Sequence, residues 1–388
     1  MTATMTRVEI QPVKTGRDLR TFISFQWKVY ANDPNWVPPL YFERLEFLNP
    51  KQNPFFGHAE GEYFLATRAG QVVGTIAAFV NRRYNEFHGE NIAWFGFFEV
   101  LEDYEAAEAL LETARRWARE RGYTTLRGPA QFSTNEECGL LVDGFDSPPM
   151  LLLTYNPRYY QGFLERAGFV KAMDLWEWYL DIGDFGGKGR ASLPPKLARV
   201  REKVLARGEY TTRMVDMKRF SSEVAWVKEV YNSAWEKNWG FVPMDEHEFD
   251  HLAASLKSII DPPLVQIVEH EGKQAGFGLT LPDVNHHLRL IHPGPSMLSS
   301  YLAGARLMLN RRRPPGLRVF ALGIIESYRG TGVDALLYSE TFYQALAAGY
   351  TFGEGGWVLE SNMMMNRAME FFGARKYKTY RFYDKSTA

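Results

Sequence analysis

Residues Leu317–Leu337 read LRVFALGIIESYRGTGVDALL, and this stretch decides the fold. The apolar run Val319–Ile325 predicts a buried strand, and a helical pattern follows the short loop Tyr328–Gly332. Glycine accepts positive φ and lets a ligand approach the backbone, and the start of a helix presents N–H groups to phosphate. The stretch therefore predicts a strand, a phosphate-binding turn and a helix, with an ordinary strand-to-helix turn as the alternative.

Composition narrows the class of protein. The chain has 388 residues, a net charge of −1 and 45% hydrophobic residues, which allows two or three domains and does not favour nucleic acid as a partner. The single cysteine, Cys138, excludes a disulfide within the chain and predicts a cytoplasmic protein. No apolar run is long enough to cross a membrane, which leaves open peripheral contact with the inner face of the membrane. The histidines do not have a metal-binding spacing, so we expect no metal.

The order of predicted elements repeats in the second half. Trp36 and Trp239, Gly74 and Gly276, and Gly168 and Gly373 form pairs at a near-constant offset of about 200 residues. Each half reads β-α-(α)-β-β-β-α-β-α-β, which predicts a mixed sheet in an α/β (α+β) fold. We therefore infer a tandem duplication.

Two segments depart from the repeat, and each half is expected to form a domain. The second half has an insertion within 282–316, and the first half has one within 130–153. Such insertions often carry function because the scaffold does not need them. GDFGGKGRASLPP, 183–195, is the predicted linker between domains at 1–182 and 196–388.

The glycine loop resembles the pyrophosphate loop of the GCN5-related N-acetyltransferase (GNAT) superfamily. That motif is Arg/Gln-x-x-Gly-x-Gly/Ala after the fourth strand, and it holds the diphosphate of coenzyme A. Arg329 and Gly332 match it, whereas Asp334 replaces the last small residue. The element order of each half also resembles this fold. The resemblance implies two tandem acetyltransferase-like domains and acyl-coenzyme A as the co-substrate.

The resemblance assigns the acyl-CoA to the second domain. Only that half has the glycine loop; the first half has the acidic stretch 102–105 at the matching position, which would repel a diphosphate. We expect the first domain to be degenerate in this respect and to shape the acceptor site. The implied cofactor-binding residues are Gly323, Ile324, Ile325, Tyr328, Arg329, Gly330, Thr331, Gly332 and Val333.

The resemblance also implies catalytic roles. A carboxylate removes the proton of the amine, and either Glu326 or Glu360 ends a predicted strand near the thioester. Each is alternatively a solvated acid. Asn362 falls at the asparagine that opens the next helix in this family, and Met369 stands at the usual position of the acidic tyrosine, so the general acid is not identified.

The insertion in the first half is rich in polar residues. Carboxylates, amides and aromatic rings together suit a cationic amine, and the alternative is a polar turn with a helix cap. The predicted substrate-binding residues are Asn135, Glu136, Asp143, Tyr155 and Asn156. The run Met363–Met365 suggests an acyl-chain pocket, with plain helix core as the alternative.

Four further segments resemble a group of bacterial acetyltransferase-like proteins near which bacterial ceramide synthases belong. They are NWVPP (35–39), NPFF (53–56), FSTNEECGLLVDGFDSPP (132–149) and WVLESN (357–362). The resemblance implies transfer of an acyl group, preferably long-chain, from acyl-CoA to a small-molecule or lipid amine, with a sphingoid-type amine as a candidate. The alternative is a non-catalytic tandem domain that binds an acyl thioester or lipid. The sequence does not give the oligomeric state.

Overall fold

The structure, a computed structural model, describes residues 7–183, 193–310 and 312–388. Most of the predicted linker, 184–192, lies outside these ranges, as do the first six residues and Arg311. Within the described ranges, no helix has the length and apolar character needed to cross a membrane.

Residues 7–183 form alternating strands and helices in the predicted order, with additional short elements. They are β1 (Glu9–Pro12), α1 (Gly16–Ser24), α2 (Gln26–Val29), α3 (Tyr41–Phe47), β2 (Ala59–Arg68), β3 (Gln71–Asn81), α4 (Arg82–His88), β4 (Ile92–Val100), α5 (Tyr104–Glu120), β5 (Thr125–Gly128), β6 (Leu140–Asp143), α6 (Tyr159–Arg166) and β7 (Val170–Asp181).

The described part of the second half repeats this order and has two helices in its predicted insertion. The elements are α7 (Pro195–Ala206), β8 (Tyr210–Met214), α8 (Phe220–Ala234), α9 (Glu246–Lys257), β9 (Val265–His270), β10 (Lys273–Pro282), α10 (Asn285–Ile291), α11 (Met297–Leu309), β11 (Gly316–Ile324), α12 (Val333–Ala347), β12 (Phe352–Leu359), α13 (Met363–Phe371) and β13 (Arg375–Ser386).

The chain divides into two compact units that do not coincide with the predicted domains, 1–182 and 196–388. Unit 1 contains the chain up to Asp174, His287–Asn310 and Lys378–Ala388, and unit 2 contains Leu175–His286 and Arg311–Tyr377. In unit 1, β13 pairs antiparallel with β5; in unit 2, β7 pairs antiparallel with β12. The last strand of each half thus completes the sheet of the other unit. The exchange of the last strands depends on hydrogen bonds between backbone groups. For this reason no pattern of residues within one half predicts it.

The sheet of unit 1 has the order β1-β2-β3-β4-β5-β13, with β6 on β13. Neighbouring strands are antiparallel except for the parallel pair β4 and β5. Helix α5 begins at Asp103, whose side chain accepts a hydrogen bond from the N–H of Ala106, and it buries one apolar face on this sheet. The sheet of unit 2 has the order β8-β9-β10-β11-β12-β7 and again has one parallel pair, β11 and β12. The predicted mixed α/β class is confirmed.

Strands β4 and β5 pair over only three residues, because the chain after β5 turns across β4. The N–H of Ala130 donates to the carbonyl of Phe95 at 2.9 Å. A Cβ atom on Gly96 would coincide with the carbonyl oxygen of Ala130. This close crossing therefore requires glycine at position 96.

We expect Gly96→Ala to destabilise unit 1, because the methyl group would force the backbone at Ala130 away from β4. The cost should be in the range of about 2–4 kcal/mol, typical of overpacking at a rigid backbone contact. Chemical denaturation followed by tryptophan fluorescence measures it. Gly162→Ala is the matched control: its Cβ would meet open space in helix α6, and that variant should be neutral or slightly more stable. Equal stability of both variants would contradict the argument.

Candidate functional site

A cavity lies in unit 1 where β4 and the chain after β5 diverge. The parallel pairing ends at Trp94 and Arg127. Beyond that point, Glu99 of β4 and the segment 129–131 both line a cavity of about 40 Å³. This volume holds a few water molecules or the end of a small polar group. The cavity therefore suits a head group, with the rest of any larger ligand outside it.

Glu99 is a buried carboxylate among the residues that line this cavity. Its Oε2 accepts hydrogen bonds from the hydroxyl groups of Tyr30, at 2.8 Å, and Tyr160, at 2.9 Å. Burial raises the pKa of Glu99 to about 7, although both tyrosine hydrogen bonds lower it. Among the described residues, none donates a hydrogen bond to its Oε1. Glu99 thus has an oxygen available to a ligand and titrates near neutral pH.

The two tyrosines are fixed by their own contacts. Tyr30 ends helix α2 and stacks on Trp36, with ring centroids 5.0 Å apart. Tyr160 lies in the first turn of α6, and its hydroxyl accepts from the N–H of Val100 at 2.6 Å. Burial raises the pKa of both phenols well above the ordinary value, so both remain protonated donors at neutral pH.

An ion pair forms a second layer beside Glu99. Arg44 of α3 donates to both carboxylate oxygens of Glu137 at 2.7 Å. The charge of Arg44 lowers the pKa of Glu99, and the charge of Glu137 raises it. Because the pair is nearly neutral as a whole, burial remains the dominant effect on Glu99.

Side chains of the aromatic segment 32–56 contact residues that line this cavity. The hydroxyl of Tyr155 donates to Asp33 at 3.0 Å. The hydroxyl of Tyr30 also lies 3.0 Å from the carbonyl of Tyr155. The Pro-rich segment therefore holds Tyr155 and Tyr30 in place around the carboxylate.

The predicted acceptor residues divide into three groups. Tyr155 and Asn156 line the cavity. The amide of Asn156 accepts from the N–H of Leu141 at 2.7 Å and donates to its carbonyl at 3.1 Å, which positions β6. Asn135 and Glu136 lie in the turn just before Glu137, and Asp143 ends β6 with an exposed side chain. The structure thus brings Tyr155 and Asn156 to Glu99 and leaves Asp143 in solvent.

The glycine loop of unit 2 has the local geometry of a phosphate-binding turn. Gly330 and Gly332 have φ angles of +76° and +99°, and α12 follows directly. Among the described residues, no acceptor pairs with the N–H of either glycine. Arg329 is exposed, with its guanidinium 3.3 Å from the carbonyl of Ala234. Of the other predicted residues, Tyr328 and Thr331 lie in this turn and Val333 begins α12. The hydroxyl of Thr331 donates to the carbonyl of Tyr328 at 2.8 Å.

Packing also explains one of these glycines. A Cβ atom on Gly332 would clash with the side chain of Val204 in α7. Gly323, at the end of β11 beside the predicted Ile324 and Ile325, is likewise tight: its Cβ would lie 3.0 Å from the Trp235 ring. Both positions therefore require glycine for packing, independently of any ligand.

The predicted catalytic residues of the second half have ordinary surroundings. Glu326 is exposed, with its carboxylate 3.4 Å from the Lys237 ammonium. Glu360 directly follows β12. The side chain of Asn362 caps α13 by accepting from the N–H of Met365 at 3.2 Å. Their assignment as catalytic residues stays a prediction.

The structure does not support an acyl-chain pocket at Met363–Met365. The side chains of Met363 and Met364 are 54% and 84% exposed. Because they point into solvent, they enclose neither an acyl chain nor a helix core. Among the described residues, no cluster of three or more histidine, cysteine or acidic side chains forms a metal site.

Sequence reasoning missed Glu99, Tyr30 and Tyr160. One signal was present: Glu99 is the sole charged residue in the strand IAWFGFFEV, and a carboxylate in a buried strand needs a reason. The register of the sheets adds to it. Thr75 pairs with Glu99, and its counterpart Phe277 pairs with Gly323. Glu99 thus occupies the strand position that corresponds to Gly323, one of the predicted cofactor-binding residues of the second half.

Comparison with known proteins relates the chain to acetyltransferases. The sequence profile described as the Acetyltransferase (GNAT) family matches residues 25–135, the part that contains Tyr30, Arg44 and Glu99. The chain is 36% identical to a protein named bacterial ceramide synthase from Caulobacter vibrioides, covering 98% of this chain and 97% of the relative. It is 32% identical to protein YghO of Escherichia coli, covering 95% and 93%.

Solved structures agree in fold. A tandem GNAT protein from the clavulanic acid biosynthesis pathway aligns over 98% of this chain and 99% of its own, with a TM-score of 0.55 and 12% identity. A GCN5-related N-acetyltransferase from Sphaerobacter thermophilus aligns over 98% and 96%, with a TM-score of 0.51 and 12% identity. At this identity the likeness concerns the fold, and it confirms the predicted tandem architecture.

We expect Glu99→Gln to change the pH dependence of stability. Folding raises the pKa of Glu99 from 4.5 to about 7, so its protonated form favours the native state. That contribution is complete below pH 4.5 and is lost as pH rises through 7. The glutamine variant should therefore gain stability relative to wild type between pH 5 and pH 8, by up to ~3 kcal/mol.

Denaturation midpoints measured at both pH values test this expectation, with Glu120→Gln at the exposed end of α5 as the control for loss of a carboxylate. A stability difference between Glu99→Gln and wild type that does not change with pH would show that Glu99 is not held in its protonated form.

Proposed function

The chain belongs to the acetyltransferase (GNAT) family as a tandem member, and from this premise we propose that it is an N-acyltransferase in which Glu99 is the general base. The observation that carries the proposal is a buried carboxylate that titrates near neutral pH, accepts two tyrosine hydroxyls and faces a small cavity. A general base works best when its pKa lies near the working pH.

The chemistry needs one proton acceptor and one proton donor. An alkylamine is protonated at neutral pH and must lose a proton before its nitrogen can attack. Ionised Glu99 takes that proton. The amine nitrogen then bonds to the thioester carbon and the C–S bond breaks. The nitrogen sheds a second proton, which goes to the leaving thiolate, so that an amide and a thiol result. Tyr30 and Tyr160 keep the carboxylate in place through both protonation states.

The surroundings of Glu99 favour a cationic head group as the acceptor. The carboxylate of Asp33 lies beside Tyr155 at the cavity, whereas the charge of Glu137 is balanced by Arg44. Since 40 Å³ admits only the amino end of a molecule, the remainder of the acceptor extends outside. A relative named ceramide synthase supports a lipid amine of the sphingoid type. Such an acceptor resides in a bilayer, which would place this enzyme in the cytoplasm at the inner face of the membrane.

For the acyl donor we propose a long-chain acyl-coenzyme A bound at Tyr328–Val333. The positive-φ glycines, their available N–H groups and Arg329 suit a diphosphate. The matching helix start in unit 1 is unsuitable. Asp103 caps α5 and pairs with Arg68 at 2.9 Å, so a carboxylate already occupies the position of the anion.

A non-catalytic tandem domain is the alternative. Such a domain needs no proton acceptor. Burial of a carboxylate is unfavourable, so a buried Glu99 is easier to explain if the residue has a role in catalysis. Turnover of a thioester by wild type, lost on substitution of Glu99, would separate the two functions.

We expect Glu99→Gln to lower kcat at least 100-fold, because glutamine cannot take the proton of the amine. In wild type, kcat with an acyl-CoA and a long-chain amine should rise with pH to a plateau, with a midpoint near pH 7. Thiol release measured from pH 5.5 to 9 tests both points. Glu120→Gln should retain wild-type rates. Retention of more than half the wild-type kcat in Glu99→Gln would exclude Glu99 as the base.

We expect Arg329→Glu to weaken coenzyme A binding at least tenfold, because it reverses a charge beside the proposed diphosphate. Titration calorimetry with free, acetyl- and palmitoyl-coenzyme A measures this, and Lys218→Glu is the control at an exposed lysine elsewhere in unit 2. Palmitoyl-coenzyme A should bind more tightly than acetyl-coenzyme A. If Arg329→Glu bound coenzyme A as tightly as wild type, the donor site would not be at Tyr328–Val333. Equal affinity for both thioesters would show that the protein does not prefer a long acyl chain.

A further inference from the structure

Helix α11 in unit 1 exposes a continuous apolar face. The exposed side chains recur at intervals of three, four and seven residues, which places them on one side of the helix, and the most exposed reach 72% to 85%. They are Leu298, Tyr301, Leu302, Met308 and Leu309. The surface of a monomeric soluble protein rarely has this many large apolar side chains together. Such a patch indicates a contact surface.

The opposite face of α11 is anchored on α3. Ser300 and Ala303 are buried, and the hydroxyl of Ser300 accepts from the N–H of Phe42 at 3.3 Å. The ring of Tyr301 stacks on Phe42 with centroids 5.2 Å apart. Ser300, Ala303 and the partly buried Leu307 therefore hold the helix on its neighbours, while the five large side chains named above stay largely exposed. Burial of these large residues does not hold the helix in the fold.

The charge of the segment that contains α11 has one sign. Within the unit 1 segment His287–Asn310 the sequence has no acidic residue, and it has two arginines, Arg289 and Arg306. Exposed Arg306 lies on α11 itself, beside the apolar face. An apolar face bordered by an arginine suits the boundary between acyl chains and anionic head groups, where arginine extends its charge to the surface. An acidic protein partner would complement the positive charge. It would not complement the large apolar face that extends along the thirteen residues of α11.

We propose that α11 binds this protein to the surface of an anionic lipid bilayer, with the axis of the helix, about 20 Å long, in the plane of the interface. Helix α3, on which α11 packs, also carries Arg44, which pairs with Glu137 beside the Glu99 cavity. The bilayer contact and the wall of the cavity therefore share one helix pair. The binding surface does not depend on the proposed acyltransferase activity, because lipid contact is measured without substrate.

Co-sedimentation with vesicles tests the proposal. Full-length protein should bind vesicles of phosphatidylglycerol and phosphatidylcholine at least five times more tightly than vesicles of phosphatidylcholine alone. The double variant Leu298→Glu with Leu309→Glu should lose at least tenfold in binding. Both side chains are exposed, at 72% and 80%, so the variant should unfold at the temperature of wild type.

The matched control replaces two equally exposed apolar residues elsewhere, Val170→Glu with Met364→Glu. It adds the same charge and should leave binding within twofold of wild type. An equal loss in the control, absence of wild-type binding, or equal binding to both vesicle types would overturn the proposal. A wild-type dimer that the α11 variant converts to a monomer, measured by analytical ultracentrifugation, would assign the face to a second copy of the chain instead.

Discussion

The candidate site depends on one close backbone crossing in unit 1. The carbonyl of Ala130 lies where any side chain at position 96 would be, and the N–H of Ala130 bonds to Phe95. This crossing ends the parallel pairing of β4 and β5 after three residues and brings the segment 129–131 over β4. Without it, Glu99 would lie on an ordinary strand; with it, Glu99 faces a narrow cavity.

Burial of that carboxylate is costly, and its neighbours reduce the cost only in part. The hydrogen bonds from Tyr30 and Tyr160 favour the ionised form, but desolvation is the larger effect and raises the pKa of Glu99 to about 7. A group balanced between its two protonation states can both take and return a proton near neutral pH. The same balance makes Glu99 a destabilising residue above pH 7. Selection for stability alone would not retain such a residue.

The two halves of the chain have diverged at matching positions. Where one half has Glu99 on its fourth strand, the other has Gly323, and where one caps its next helix with Asp103, the other has the glycine loop. A carboxylate and a diphosphate cannot share one helix start, because like charges there repel. This divergence supports the proposed assignment of proton transfer to unit 1 and of the thioester diphosphate to unit 2.

The sequence by itself determined the elements and the family. The order of the elements in each half, the mixed sheet and the insertions that contain β6 and α11 were all predicted, because they depend on local periodicity and constant offsets. The exchange of β7 and β13 between the two sheets was not predicted, since backbone pairing carries no residue code. The cluster at Glu99 was missed for a related reason. Its tyrosines lie 69 and 61 residues away in the chain, and only tertiary packing brings their hydroxyls to one carboxylate oxygen and excludes water from it.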